Sequence, residues 1–315
     1  MTGFVTLCSG ETMTLPELLS WDLEHGFCSP CDSFEVSFLY SPEMFIPLEK
    51  AVRFKAEHDG VTVFCGVVDE FELSADTSGC AAVLRGRGLQ ALLLDNEAES
   101  AQYTGAAADF ILERHAAAWG VTDFDISGAE TLRSTLSVSA GDSCWSVVNA
   151  FARFGAGLRP RFSPDGRLVL DGEHGGRALE INAGTAISSQ GFVQDRYGVI
   201  STAVVKNRVT GSEAVVENPG FLALGGMCRR IVNVPRKTAW DAMRHTGTYQ
   251  IRHSAENFRT CTLTVPELFA AFPGDIAALK NTPLGVDGRF LVTLSRCWAD
   301  GSGAGTVLRL SPVGE

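Results

Sequence analysis

The chain has 315 residues, of which 45% are hydrophobic and 20% charged, with 33 glycines and a formal net charge of −11. That length exceeds one ordinary core and predicts roughly two to four domains, while the composition excludes wholesale disorder. The negative field argues against nucleic acid or an anionic membrane as a general partner.

Residues 1–32 carry no clear period, and Leu15-Pro16-Glu17-Leu18-Leu19 reads as a strand end or a short turn. From Ser33 the alternation is plain. Phe34, Val36, Phe38 and Tyr40 stand against Glu35, Ser37 and Leu39, the pattern of a half-buried strand. Val52, Phe54 and Ala56 alternate with Arg53, Lys55 and Glu57, and Asp59-Gly60 predicts a hairpin. The return is 61–72, with a bulge at Gly66. Ala75-Asp76-Thr77-Ser78-Gly79 is the next turn and 81–87 the next strand. This meander predicts a small antiparallel barrel or sandwich over residues 1–95.

Residues 88–94 read as one or two helical turns. The stretch 104–119 predicts a helix whose apolar face is Ala107, Phe110, Ile111, Arg114 and Ala118, closed by Gly120. Residues 131–139 alternate as a strand. Asp142 is the candidate N-cap of a helix with Trp145, Val147, Val148, Phe151, Ala152 and Phe154 on a wide apolar face. Gly155 and Gly157 are placed to end it. A short hairpin follows, 158–162 and 167–170, around the turn Ser163-Pro164-Asp165-Gly166. Residues 96–175 therefore predict an inserted α+β domain with two helices.

After Gly175-Gly176 the β character returns. Residues 181–187 and 199–209 are strand-like. Asn218-Pro219-Gly220 and Leu224-Gly225-Gly226 read as breaks. Residues 236–249 predict a helix with Trp240, Met243 and Gly247 along one side. Residues 258–265 form a strand, Pro273-Gly274-Asp275 a turn before 276–279, and 289–298 with 306–310 a final hairpin around a soft loop, 300–305. The prediction is a second β-barrel over 176–315 with a helical insertion near 226–257. No fixed short repeat stands out, only a coarse echo between hairpin tips near Asp59-Gly60 and Gly301.

Candidates for chemistry are few. His25-x-x-Cys28-x-x-Cys31 is the one clustered set of soft ligands, but a zinc site wants a second pair, so loop cysteines are the expectation. Cys144 sits near a helix start, a place that lowers a thiol pKa, yet its neighbour Trp145 and the apolar period mark it as helix start or core. Glu113 is a carboxylate of the kind glycosidases use, on the outer face of its helix. Arg229-Arg230 and Arg236-Lys237 form the densest basic stretch and read as a solvated or intersubunit face. Trp145, Trp240 and Trp298 read as core residues. Nucleophile-elbow, phosphate-loop and His-Glu-x-x-His patterns are missing. No catalytic, cofactor-binding or metal residue is therefore assigned. Nine cysteines, no leading basic-then-apolar segment and no run of eighteen apolar residues lead to the expectation of free thiols in a reducing cytoplasm and no membrane anchor.

Three runs in a set order carry a resemblance. Asp59-Gly60-x4-Cys65-Gly66-Val67-Val68-Asp69 with Leu84-Arg85-Gly86-Arg87-Gly88-Leu89-Gln90 resembles the first barrel of tailed-phage baseplate hub proteins, the late control protein D and Mu-type hub family. The Asp142–Leu170 region resembles their middle domain, with a tryptophan-bearing helix, an aromatic-glycine helix end and an Asp-Gly-Arg-Leu hairpin. Phe272-Pro273-Gly274-Asp275, Asp287-Gly288-Arg289-Phe290-Leu291-Val292 and Gly305-Thr306-Val307-Leu308-Arg309-Leu310 resemble the closing strands of their second barrel. The resemblance spans roughly residues 30–312.

It implies a mainly β, α+β chain with two tail-tube-like antiparallel barrels flanking an α+β domain. It implies a homotrimeric ring at the tail baseplate, assembled in the host bacterial cytoplasm, joining a sixfold tail tube to a threefold central spike and touching other baseplate proteins. Relatives of this family also occur in type VI spikes. Two alternatives stand beside it: a tail-associated cell-wall or glycan hydrolase using Glu113 or Cys144, and a carbohydrate-binding sandwich.

Overall fold

The computed structural model describes residues 1–27, 31–77, 79–132, 135–170, 176–234, 238 and 240–313. The opening residues, unassigned from sequence, form three strands, β1 (Thr2–Leu7), β2 (Thr12–Thr14) and β3 (Leu18–Gly26). Then come β4 (Ser33–Leu39), the one-turn α1 (Phe45–Glu49), β5 (Ala51–His58), β6 (Val61–Asp76) and β7 (Gly79–Gly88). They lie in the spatial order β3-β4-β7-β6-β5-β1-β2, every pair antiparallel. Phe34 on β4 and Phe54 on β5 stack with ring centroids 4.2 Å apart. Three strand spacings separate β4 from β5, about 14 Å in a flat sheet, so the sheet must curl around its core. Leu15 N–H donates to Gly3 O at 2.9 Å, which brings the lead-in to β3 back against β1. Leu23, Val36, Phe38, Phe54, Phe64 and Leu84 fill this barrel.

Gly66 is not a bulge. It pairs in register with Phe54 and Gly88, and the irregularities of β6 fall on either side of it, at Val63 toward β5 and at Asp69 toward β7. A Cβ on Gly66 would stand 2.2 Å from Arg87 O, so two backbones approaching closely demand the glycine. Asp59 (φ 50) and Gly60 (φ 76) supply the left-handed pair that a two-residue hairpin needs.

The middle of the chain holds α2 (Gln90–Leu94), β8 (Ala101–Thr104), α3 (Ala108–His115), β9 (Phe124–Asp125), β10 (Thr135–Val138), α4 (Cys144–Ala156), β11 (Arg161–Phe162) and β12 (Leu168–Val169). Residues 133 and 134 of the expected 131–139 strand lie outside the described residues. The helix expected over 104–119 is shorter, because β8 takes its start and a 3-10 turn, Ala117–Trp119, its end. Its buried stripe is Ala108, Ile111, Leu112 and His115, while Phe110 is 51% exposed. His115 can be buried because Tyr103 Oη lies 2.8 Å from its Nε2. Ser143, not Asp142, caps α4 by accepting from Ser146 N–H at 3.1 Å, and Asp142 accepts from Ser139 N–H instead. Gly155 is helical; Gly157 (φ 69) makes the left-handed stop. Val147, Val148, Phe151 and Ala152 of α4 pack with Ile111, Leu112 and Leu136 in one core.

The last part contains β13 (Ala178–Ile181), β14 (Ser189–Gln194), β15 (Thr202–Lys206), β16 (Glu213–Glu217), α5 (Pro219–Ala223), β17 (Arg229–Asn233), α6 (Trp240–Ala255), β18 (Arg259–Val265), β19 (Ile276–Leu279), β20 (Gly288–Asp300) and β21 (Gly303–Pro312). Asn218-Pro219, expected as a break, starts α5: Asn218 Oδ1 accepts from Phe221 N–H and proline takes the first turn, where its missing donor costs nothing. β16-β15-β17 form their own small sheet, and α6 lies on it through Met243, Gly247 and Ile251. The remaining strands run β14-β18-β21-β20-β19-β13, antiparallel except for the parallel β13–β19 pair, around Ile181, Leu263, Leu279, Val292 and Leu308. The loop expected at 300–305 is mostly ladder, since Asp300 already faces Gly303. The molecule is thus mainly β, with two antiparallel barrels flanking an α+β insert.

Candidate functional site

The two barrels are one design used twice. Strands β1, β3, β4, β5, β6 and β7 correspond in chain order and in spatial order to β13, β14, β18, β19, β20 and β21. Four of the five strand-pair registers agree residue by residue; the end strand differs, since β1 runs antiparallel to β5 while β13 runs parallel to β19. Both long hairpins bulge after a valine, at Asp69 in β6 and Thr293 in β20, and close with Asp76 facing Gly79 and Asp300 facing Gly303. Across those tips the sequence repeats as well. Ala-Asp-Thr-Ser-Gly-Cys-Ala-Ala-Val-Leu-Arg from Ala75 and Ala-Asp-Gly-Ser-Gly-Ala-Gly-Thr-Val-Leu-Arg from Ala299 share seven of eleven positions. The tip near Gly301 therefore matches the tip at 76–79, not the Asp59-Gly60 turn. Ser20 Oγ lies 2.6 Å from Ser37 Oγ, and the corresponding Ser189 Oγ donates to Thr264 Oγ1 at 2.9 Å.

The barrels are fused where β20 meets β3, making one thirteen-stranded sheet. β20 serves both. Residues 288–291 pair with β19, and beyond the bulge residues 294–299 pair antiparallel with β3, from Leu294–Gly26 to Ala299–Trp21. On the inner side Leu23 is fully buried and Cys297, opposite it, joins the first core. Burial pushes the Cys297 thiol up to about 11. On the outer side the Arg296 guanidinium clamps Asp22, with Nε donating at 2.8 Å to Oδ1.

That outer wall continues as a row of charge: Asp22, Glu35, Arg85 and Glu70 stand side by side on β3, β4, β7 and β6. Arg85 binds Glu35, Glu70 and Glu72 at 2.7–2.8 Å, and Arg87 binds Asp69 and Asp95. Arg87 holds the Asp95 carboxyl below its usual range. Exposed pairs of this kind stabilise weakly; their effect is a polar, patterned surface. The matching row of the second barrel has Thr262, Arg309 and Leu294, so the network belongs to one barrel only.

The residues singled out for chemistry stand apart. Both ring nitrogens of His25 are engaged, Nε2 donating to Val63 O at 3.0 Å and Nδ1 3.3 Å from Asp32 Oδ2. Cys28 lies outside the described residues, and Cys31 Sγ points to Gly88 O at 3.4 Å. Cys144 is buried, accepts from the Trp119 indole N–H at 3.2 Å, and has its thiol pushed up by burial, the reverse of the lowering expected at a helix start. Glu113 is exposed on α3. Arg229 and Arg230 are exposed on β17, and Arg236 and Lys237 lie outside the described residues. Trp145 and Trp298 are half-buried, whereas Trp240 is 53% exposed under Arg244. The eight described cysteines form no disulfide with one another. The cleft where the three parts meet, lined by Gly26, Asp32, Gln90, Trp145, Arg161 and Pro273, holds about 20 Å³, the size of a water rather than a substrate. What the arrangement offers is matched sheet edges and broad faces, and the repeat that reveals them was present in the sequence at residues 75–85 and 299–309.

A duplicated antiparallel barrel fused through one sheet around an α+β insert is a fold shared with tail proteins of phages and phage-like machines. The chain is similar to the tail protein from Neisseria meningitidis MC58, with a TM-score of 0.76 and 18% identity over 99% of this chain and 96% of that one. It is similar to the prophage MuSo2 43 kDa tail protein from Shewanella oneidensis, with a TM-score of 0.74 and 14% identity over 98% and 97%. An E. coli component of the type VI secretion system, itself similar to the T4 bacteriophage tail proteins gp27 and gp5, aligns with a TM-score of 0.58 and 13% identity over 95% and 74%. No protein-family model matches the sequence, and no curated protein matches it.

Proposed function

We propose that this chain is the structural baseplate hub of a phage or phage-like tail, a homotrimeric ring that adapts a sixfold tail tube to a threefold central spike. The observation that carries the reading is the duplication: one chain holds two barrels of the same strand order, fused side by side. Three such chains set six near-equivalent barrels on a ring while keeping only threefold true symmetry. A tube with six subunits can then seat on one face and a spike with three on the other. Large matched interfaces do this work, and it needs no perturbed catalytic group. The proposed partners are further copies of this chain, the spike, the tube or distal tube protein and other baseplate proteins; the proposed location is the tail of the particle, after assembly in the bacterial cytoplasm.

The test is mass and position. Light scattering on the purified protein, alone and with its spike, is expected to give three copies per particle. Density maps of assembled tails are expected to put the chain in one ring between tube and spike. A strict monomer inside assembled tails, or barrels lying on different levels along the axis, would overturn the reading.

A further inference from the structure

The internal junction between the barrels is a template for a second junction, and the two strands needed to make it each have one edge that no strand among the described residues pairs. At the fusion, the post-bulge half of β20 pairs with β3. The counterpart of that half-strand in the first barrel is residues 70–75 of β6, which β7 covers on one side and which no described strand pairs on the other, because β5 leaves the ladder at Val67. The counterpart of β3 in the second barrel is β14, which ends the sheet and, among the described residues, pairs with β18 alone.

We propose that β14 of one copy adds antiparallel to residues 70–75 of β6 in the next copy, repeating the β20–β3 junction between chains. This rests on the ring reading above and specifies its contact. The register follows by carrying the ladder pairs across. Cys297–Leu23 becomes Leu73–Phe192, and Ala299–Trp21 becomes Ala75–Gln190.

Side-chain exposure supports the assignment. Leu23, with its partner strand in place, is fully buried, while Phe192 at the equivalent place is 39% exposed and its neighbour Val193 is 59% exposed. Phe71 and Leu73 are half-buried on the other side of the proposed contact. An unpaired strand edge with apolar side chains is a template for another chain, and here the template and its complement sit on the same molecule. Such a head-to-tail contact closes into a ring when the rotation allows, and the fusion inside each chain fixes that rotation.

The test is cysteine cross-linking, with exposed Cys8 and Cys80 changed to serine. Paired β positions lie within disulfide reach. The combined variant Leu73→Cys, Phe192→Cys is expected to give dimers and a closed trimer on non-reducing gels, from purified protein or from assembled tails. The off-register pair Leu73→Cys, Ser189→Cys, displaced by about 10 Å, is expected to give about tenfold less. Thermal unfolding of each variant checks that it folds. Trimers by light scattering with no excess cross-link from Leu73 to Phe192 would overturn this pairing and leave the hub reading standing. Monomers in isolation and in assembled tails alike would overturn the hub reading, and this contact with it.

Discussion

Phe34 and Gly86 face each other across β4 and β7, and the equivalent pair in the second barrel is Cys261 and Leu310. A large side chain over glycine in one barrel thus becomes two middle-sized ones in the other, which keeps the filled volume similar while exchanging its location. A Cβ on Gly86 would stand 2.0 Å from Val67 O and 2.6 Å from the Phe34 ring. Gly86→Ala should therefore cost about 2–3 kcal/mol through overpacking, read as a lower urea midpoint. Gly191, with nothing within 4 Å, is the control, and Gly191→Ala should stay within about 0.5 kcal/mol in the isolated chain. Two half-buried thiols give a pH dependence. Cys65 and Cys297 are pushed up to about 11 from an ordinary 9.0, chiefly by burial. Raised folded values mean that the unfolded chain loses these protons first, so stability holds below pH 9 and falls as pH climbs through 11. The loss should reach about 1–2 kcal/mol per thiol. Urea midpoints at pH 8 and pH 10.5 measure it, and Cys297→Ala should flatten part of the slope; an unchanged slope in that variant would refute the assignment.

At the level of elements, α4 depends on its first turn. Ser143→Ala removes the cap on Ser146 N–H and should lower stability by about 1 kcal/mol, measured by thermal unfolding. This helix, the hairpin strands β4 to β7 and β19 were legible because their buried residues are apolar and regularly spaced. Elements that hide polarity were harder to read. The buried side of α3 includes His115, satisfied by Tyr103, so a reading that followed apolarity rotated the face toward exposed Phe110. α5 begins at Asn-Pro-Gly, a string that signals a turn as strongly as a helix start. The duplicated hairpin is hard to read for a different reason. Its halves, at 75–85 and 299–309, are separated by the whole insert, and the glycine-rich tip at Gly301 looks as much like Asp59-Gly60 as like its true counterpart. Without that match neither the β20–β3 junction nor the free β14 edge can be located from sequence, because pairing between strands so far apart leaves no local period.

For the whole molecule, the important strand is β20, which belongs to both barrels. Residues 288–291 hold β19, residues 294–299 hold β3, and β21 runs along residues 290–300. Unfolding either barrel therefore strips half the ladder from a strand the other one needs. The two barrels should melt together in calorimetry, although the chain is long enough for independent units. Ser295 lies just past the bulge, 4% exposed, between His25 and Leu308 in register. A proline there removes a ladder donor from a central strand and clashes with its neighbours. Ser295→Pro should lower the shared transition by about 3 kcal/mol or more, in both barrels at once. Hydrogen exchange locates the effect: amides of β5 and β6 in the first barrel and of β18 and β19 in the second should lose protection together. If only the second barrel loosens while β5 and β6 keep full protection, the fusion is a contact between independent units and not a shared strand, and a ring built by repeating it would lack the stiffness that a tube-to-spike adaptor requires.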